Sequence, residues 1–266
     1  MNLASHRWFG IFFLLIGVSL YGCASSQSAG SLVELPTSSD ETSNQKRANI
    51  RLQLAVGYYQ QHQWEVALDE IKLALSAAPD FVEAYSVRAL IYMEMDQLPL
   101  AEENFLRAIK LAPNSPDLSN NYGWFLCQNG RASQSLSYFE AALKNRSYQS
   151  PVKALHNAGV CSLKLREEKV AEQYFMQAFK IEPSNSDITV NLAKIYFKRG
   201  DYESARFYIS RTLKADVLTP EVLWLGIKIE HKLEDRAAEN SLVTQLRRRH
   251  ADSIEYATYK RGAYDE

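Results

Sequence analysis

No apolar run in this 266-residue chain is long enough to cross a bilayer. The longest extends from Trp8 to Tyr21, 14 residues, and a helix of that length rises about 21 Å against a hydrocarbon core of about 30 Å. Glycine is sparse, eleven residues without a cluster, so no Gly-rich loop cradles a phosphate. The five histidines (His6, His62, His156, His231 and His250) form neither an H-E-x-x-H motif nor a Cys/His zinc spacing. There is no G-x-S-x-G and no isolated carboxylate pair in an apolar setting. A catalytic centre, a metal, a cofactor and a small-molecule substrate are therefore not expected. A net charge of −1 lacks the basic excess that draws proteins to nucleic acid.

The apolar run is nevertheless informative at its ends. His6 and Arg7 precede it, as in a secretory signal peptide. Leu20-Tyr21-Gly22-Cys23 follows and resembles a bacterial lipobox, although Tyr21 stands where a small residue is usual. The expectation is a signal peptide over 1–22 and a lipidated Cys23 holding acyl chains such as palmitate in a membrane. Ala24 replaces the Asp that favours inner-membrane retention, so the resemblance points to the periplasmic face of the outer membrane. Residues 24–47 are rich in Ser and Thr and poor in apolar side chains. With Cys23 they read as a flexible tether over 23–47, of about 27 Å typical reach.

The rest of the chain repeats. A small residue recurs at Ala55, Ala89, Gly123, Gly159, Ala193 and Gly226. Twelve residues on stands a second: Ala67, Ala101, Ser135, Ala171, Ala205 and Ala238. Four further on comes a bulky apolar side chain: Ile71, Phe105, Phe139, Phe175, Ile209 and Leu242. The first set is spaced 34, 34, 36, 34 and 33 residues, the period and pattern of tetratricopeptide (TPR) repeats. An all-α solenoid of six helix–turn–helix units is predicted, a right-handed superhelix with a concave groove, over 48–81, 82–115, 116–151, 152–185, 186–218 and 219–250. Pro79, Pro113 and Pro183 stop three of the second helices. The two extra residues of the third unit fall in Asn145–Pro151, which is expected to protrude. Residues 251–266 read as a polar C-terminal tail, and Arg247, Arg248, Arg249 and His250 as a helix end favoured by the macrodipole.

In the TPR register the groove is lined by the first helix of each pair. Position 5 supplies Leu52, Asn120 and His156; position 9 supplies Val56, Leu90, Trp124 and Val160; position 12 supplies Tyr59, Met93, Leu163 and Phe197. The stripe is apolar and lacks the Lys and Asn set that clamps a carboxylate terminus, so an apolar helix or extended peptide fits it. Position 12 residues either face the groove or pack between helices. Trp124 is the expected hot spot. Cys127 and Cys161 sit on consecutive first helices and are either bridged or two buried thiols.

The segments "NNYGWFLC" (120–127) and "HNAGVC" (156–161), within six TPR units behind a lipobox, resemble the type IV pilus biogenesis and stability proteins of the PilF/PilW family. That resemblance implies a non-enzymatic protein-binding module. Its partners would be subunits of the type IV pilus secretin, which it would help to localise and multimerise at the outer membrane. A TPR lipoprotein scaffold for peptidoglycan enzymes or outer-membrane protein assembly shares every feature except the partner.

Overall fold

The computed structural model describes residues 42–264. The expected signal segment, Cys23 and the tether up to residue 41 lie outside the described residues. Thirteen helices occur among the described residues, and no strand. Twelve form six antiparallel pairs: α1 (Ser43–Gln60) with α2 (Trp64–Ala77), α3 (Val82–Glu94) with α4 (Leu98–Leu111), α5 (Pro116–Gln128) with α6 (Ala132–Lys144), α7 (Pro151–Lys164) with α8 (Glu168–Ile181), α9 (Ser186–Arg199) with α10 (Tyr202–Lys214), and α11 (Pro220–Lys232) with α12 (Arg236–Arg249). A short α13 (Ile254–Lys260) packs on α11 and α12.

The repeated small residues are the helix crossing points. Ala55, Ala89, Gly123, Gly159, Ala193 and Gly226 are all buried. Facing them, Ile71, Phe105, Phe139, Phe175 and Ile209 are almost wholly enclosed. The two glycines of the middle pairs allow the closest approach. A Cβ at Gly123 would stand 2.9 Å from the Phe139 ring, and one at Gly159 2.6 Å from the Phe175 ring. The sixth pair packs less tightly, with Ala238 half-buried and Leu242 at 9% exposure.

Each pair turns through one residue in the left-handed region: His62, Asp96, Gly130, Arg166, Gly200 and Glu234. After α7 the Glu167 amide donates to the Ser162 carbonyl at 2.9 Å and the Arg166 amide to Leu163 at 2.9 Å, the Schellman pattern. Only Gly130 and Gly200 adopt this conformation without steric cost; a side-chain-bearing residue there loses about 1–2 kcal/mol. Arg166→Gly removes that strain but adds about 0.5–1 kcal/mol of unfolded-chain entropy. The expected result is a rise of about 1–4 °C in the thermal midpoint, measured by circular dichroism.

Three expectations about the segments between and around the pairs need correction. The tether does not reach residue 47, because α1 begins at Ser43. Thr42 accepts from the Gln45 amide at 3.2 Å while the Gln45 side chain accepts from the Thr42 amide at 2.9 Å, a capping box that starts the helix early. The loop into the fourth unit is pinned rather than protruding. Tyr148 turns inward against Ala142 and Ala154, and the Asn145 side-chain amide ties back to the Asn114 carbonyl at 3.2 Å. Residues 251–266 are not simply a tail. Ser253 caps α13 through the Tyr256 amide, and Tyr264 folds over the end of α11, its ring stacked 3.7 Å from His231. The Tyr264 hydroxyl donates to buried Glu239 at 2.8 Å, shielding the last pair. His231 is part of that cap, with Nδ1 3.2 Å from Glu239.

Candidate functional site

First helices contact one another from pair to pair: α1 with α3, α3 with α5, α5 with α7, and α9 with α11. They form the layer on which the predicted stripe lies. Leu52, Val56, Tyr59, Leu90, Met93, Trp124, His156, Val160, Leu163 and Phe197 are all half-buried on these helices. Their inner atoms root them in the core. Leu52 and Tyr59 pack on the first core cluster, Leu90 and Met93 on that around Phe105, and Trp124 on that around Cys127 and Cys161. Val160, Leu163 and Phe197 rest on the cluster around Phe175. Such residues present an apolar edge whose geometry is fixed beforehand, which lowers the ordering cost of binding.

Individual members of the stripe have additional ties. The Tyr59 hydroxyl donates to Glu94 at 3.3 Å, and its ring leans on Trp64 with centroids 5.2 Å apart. Burial, followed by the Glu94 charge, pushes the Tyr59 phenol up to about 12. The His156 ring lies 5.9 Å from that of Phe175. Phe197 packs against Tyr202, with the Lys228 ammonium 5.5 Å above its ring.

Asn120 does not belong to an accessible face. Only 1% of it is exposed. Its Oδ1 accepts from Asn157 Nδ2 at 3.0 Å, and its own Nδ2 donates to Asn121 at 3.2 Å. Asn121 in turn donates to Ser86 at 3.3 Å and accepts from Lys153 at 3.4 Å. This polar chain joins α3, α5 and α7, so a buried amide that register alone assigns to the groove instead aligns three first helices. Cys127 and Cys161 are bridged, with Cα atoms 5.8 Å apart, and both are buried. The bond ties the third pair to the fourth directly behind Trp124.

The adjoining "YGW" has a further use. The Tyr122 hydroxyl donates to Glu102 at 2.9 Å, and Arg131 donates to the same oxygen at 2.7 Å. The arrangement recurs two pairs later, with Tyr196 and Arg199 both donating to Glu172, at 2.6 and 2.5 Å. Burial pushes the Glu102 carboxyl up, but the hydrogen bonds from Arg131 and Tyr122 outweigh it and leave it below its ordinary value. The Arg199 hydrogen bond holds the Glu172 carboxyl down, with Tyr196 adding to it. Both groups ionise more readily folded than unfolded. Their stabilisation is complete above about pH 5 and is lost as pH falls below the ordinary carboxylate value of 4.5 through the lowered one. Thermal midpoints are expected to fall from pH 5 to pH 3, and to fall less steeply in the Glu102→Gln, Glu172→Gln double variant.

Sequence reasoning missed the C-terminal end of the stripe. A cleft of about 320 Å³ lies between α9, α11 and α13, lined by Lys194, Phe197, Glu221, Trp224, Leu225, Lys228 and Glu255. Trp224 and Lys228 escaped because they fall at positions 6 and 10 of the sixth unit, outside the groove positions 5, 9 and 12 of the register. Among the described residues no group of His, Cys, Asp or Glu could hold a metal ion, and no helix is long and apolar enough to cross a membrane.

Comparison with known proteins agrees with the repeat architecture. Tetratricopeptide repeat families match residues 52–116, 87–150 and 168–223. The type IV pilus assembly protein PilF of Pseudomonas aeruginosa is 25% identical over 246 residues, 92% of this chain and 95% of its own. Its solved structure superposes with a TM-score of 0.75 at 24% identity, covering 83% of this chain and all of that one, which supports the fold. The crystal structure of PilW, described as a widely conserved type IV pilus biogenesis factor, is 32% identical, with a TM-score of 0.73 over 80% of this chain and 97% of PilW. The chain is a type IV pilus biogenesis TPR protein and belongs to the family of PilW and PilF.

Proposed function

We infer that this protein is an outer-membrane lipoprotein whose solenoid binds subunits of the type IV pilus secretin and promotes their localisation and multimerisation, and so pilus biogenesis and stability. The observation that carries the reading is the half-buried apolar stripe on the first helices, backed at Trp124 by the Cys127–Cys161 bridge. A rigid groove of this kind suits an apolar helix or extended segment of a partner protein. Membership of the pilus biogenesis family makes a pilus component the natural partner. The lipobox-like Leu20–Cys23 supports the membrane anchor. Held at one bilayer, subunits meet at a raised effective concentration. The role requires binding and no chemical step.

The test is the state of the secretin in cells lacking this protein, followed on unheated gels of outer-membrane fractions. Loss of the multimer, restored by the wild-type gene and not by Cys23→Ser, is expected. An undiminished multimer in the deletion strain would remove secretin assembly from the protein's role.

A further inference from the structure

One face of the solenoid has no role in the groove. Helix α1 contains Lys46, Arg47 and Arg51 and no acidic residue. Cations in the first turns of a helix oppose the macrodipole, so helix stability does not account for them. Lys46, Ile50 and Leu54 follow one another at single-turn spacing, with Arg47 alongside, and share one outward stripe. Ile50 is 57% exposed and Leu54 42%, whereas the opposite side of the helix buries Ala48 and Ala55 against α2 and α3. Arg51 is drawn aside by Glu70 of α2 at 3.0 Å, while Arg47 donates to Asn44 of its own helix at 2.6 Å. Of the other acids of α2, Asp69 pairs with Lys72 and Glu65 stands in the first turn.

We propose that the outer face of α1 docks on a lipid surface bearing anionic headgroups, with Ile50 and Leu54 entering the interface and Lys46 and Arg47 meeting the phosphates. The proposal rests on the reading of Cys23 as a membrane anchor. Eighteen residues separate Cys23 from Thr42, and the chain enters the solenoid at the N-terminus of this helix. Lipid is favoured over a second copy because a stripe whose charges are all positive offers a copy of itself no acidic partner. Two apolar side chains also fall far short of a stable protein interface, whereas a membrane surface accepts a shallow apolar pair flanked by cations. Docking would fix the orientation of the groove relative to the bilayer.

The test uses the full chain purified from membranes and reconstituted into vesicles of phosphatidylethanolamine and phosphatidylglycerol. These carry a trace of a photoactivatable phospholipid, and adducts are located by mass spectrometry. Adducts on the peptide containing Ile50 and Leu54 are expected at least tenfold above those on peptides containing the equally exposed Ile181 or Phe207. Each cation near an anionic surface contributes about fivefold, so K46E/R47E is expected to reduce the α1 adduct about 25-fold or more. Equal labelling of the three peptides overturns the proposal, as does an α1 yield indifferent to charge reversal. Cross-links joining two α1 helices would assign the face to a second copy instead. Protein that fails to float with the vesicles overturns the anchor reading itself; floated protein without α1 adducts overturns only the docking.

Discussion

Replacing Cys127 and Cys161 together by alanine is expected to cost about 3–4 kcal/mol of stability. The bridge closes a sequence separation of 34 residues, and its Cα atoms stand 5.8 Å apart. Its effect is concentrated at one junction, because a solenoid is stabilised by contacts between neighbouring pairs. The bond joins α5 to α7, where the two-residue insertion lengthens the loop and the third pair meets the fourth. Urea unfolding of the wild type is expected to be a single transition. In the variant, the first three pairs and the last three are expected to separate into two, since coupling across that junction is what the bond supplies. Both sulfurs are buried, so a reducing agent should act only as the urea midpoint is approached. A variant within about 1 kcal/mol of wild type would show that helix packing alone couples the halves.

The second large effect lies in the core of the fourth pair. Phe175→Ala is expected to cost about 3–5 kcal/mol, the range for emptying a fully buried aromatic site. Gly159→Ala is expected to cost about 1–3 kcal/mol for the opposite reason. Its methyl would stand 2.6 Å from one ring carbon of Phe175 and 2.7 Å from another, and the ring is enclosed on all sides. The double variant should lose less than the two singles together, because the added methyl occupies space the ring has vacated. A coupling of about 1–2 kcal/mol in a double-mutant cycle by urea denaturation is expected. Additivity within about 0.3 kcal/mol would mean that the glycine is not there for the phenylalanine.

This contact also explains what was legible in the sequence. A helix crossing that admits only a small residue, opposed by a ring that must fill the remaining space, imposes both identity and spacing. Repetition then makes the pattern readable. Hidden features depend on single side chains turning one way or the other. Asn120 occupies a groove position in the register, yet a neighbouring amide at Asn157 draws it inward. Tyr148 sits in a polar loop sequence but finds a pocket beside Ala154. Thr42 and Gln45 have capping-box spacing, which the surrounding run of serines and threonines obscured. The C-terminal residues look like a solvated tail because the acceptor for Tyr264 is Glu239, one helix away.

The account rests on the inner apolar face, and Trp124 lies at its centre with the disulfide behind it. The most direct measurement is the amount of heat-resistant secretin multimer in cells producing Trp124→Ala at wild-type level, with Trp124→Phe as the packing control. Loss of most of the multimer in the alanine variant is predicted, with the phenylalanine variant retaining it and both purified proteins showing helical circular dichroism spectra. Wild-type multimer in Trp124→Ala would contradict the groove as the binding face.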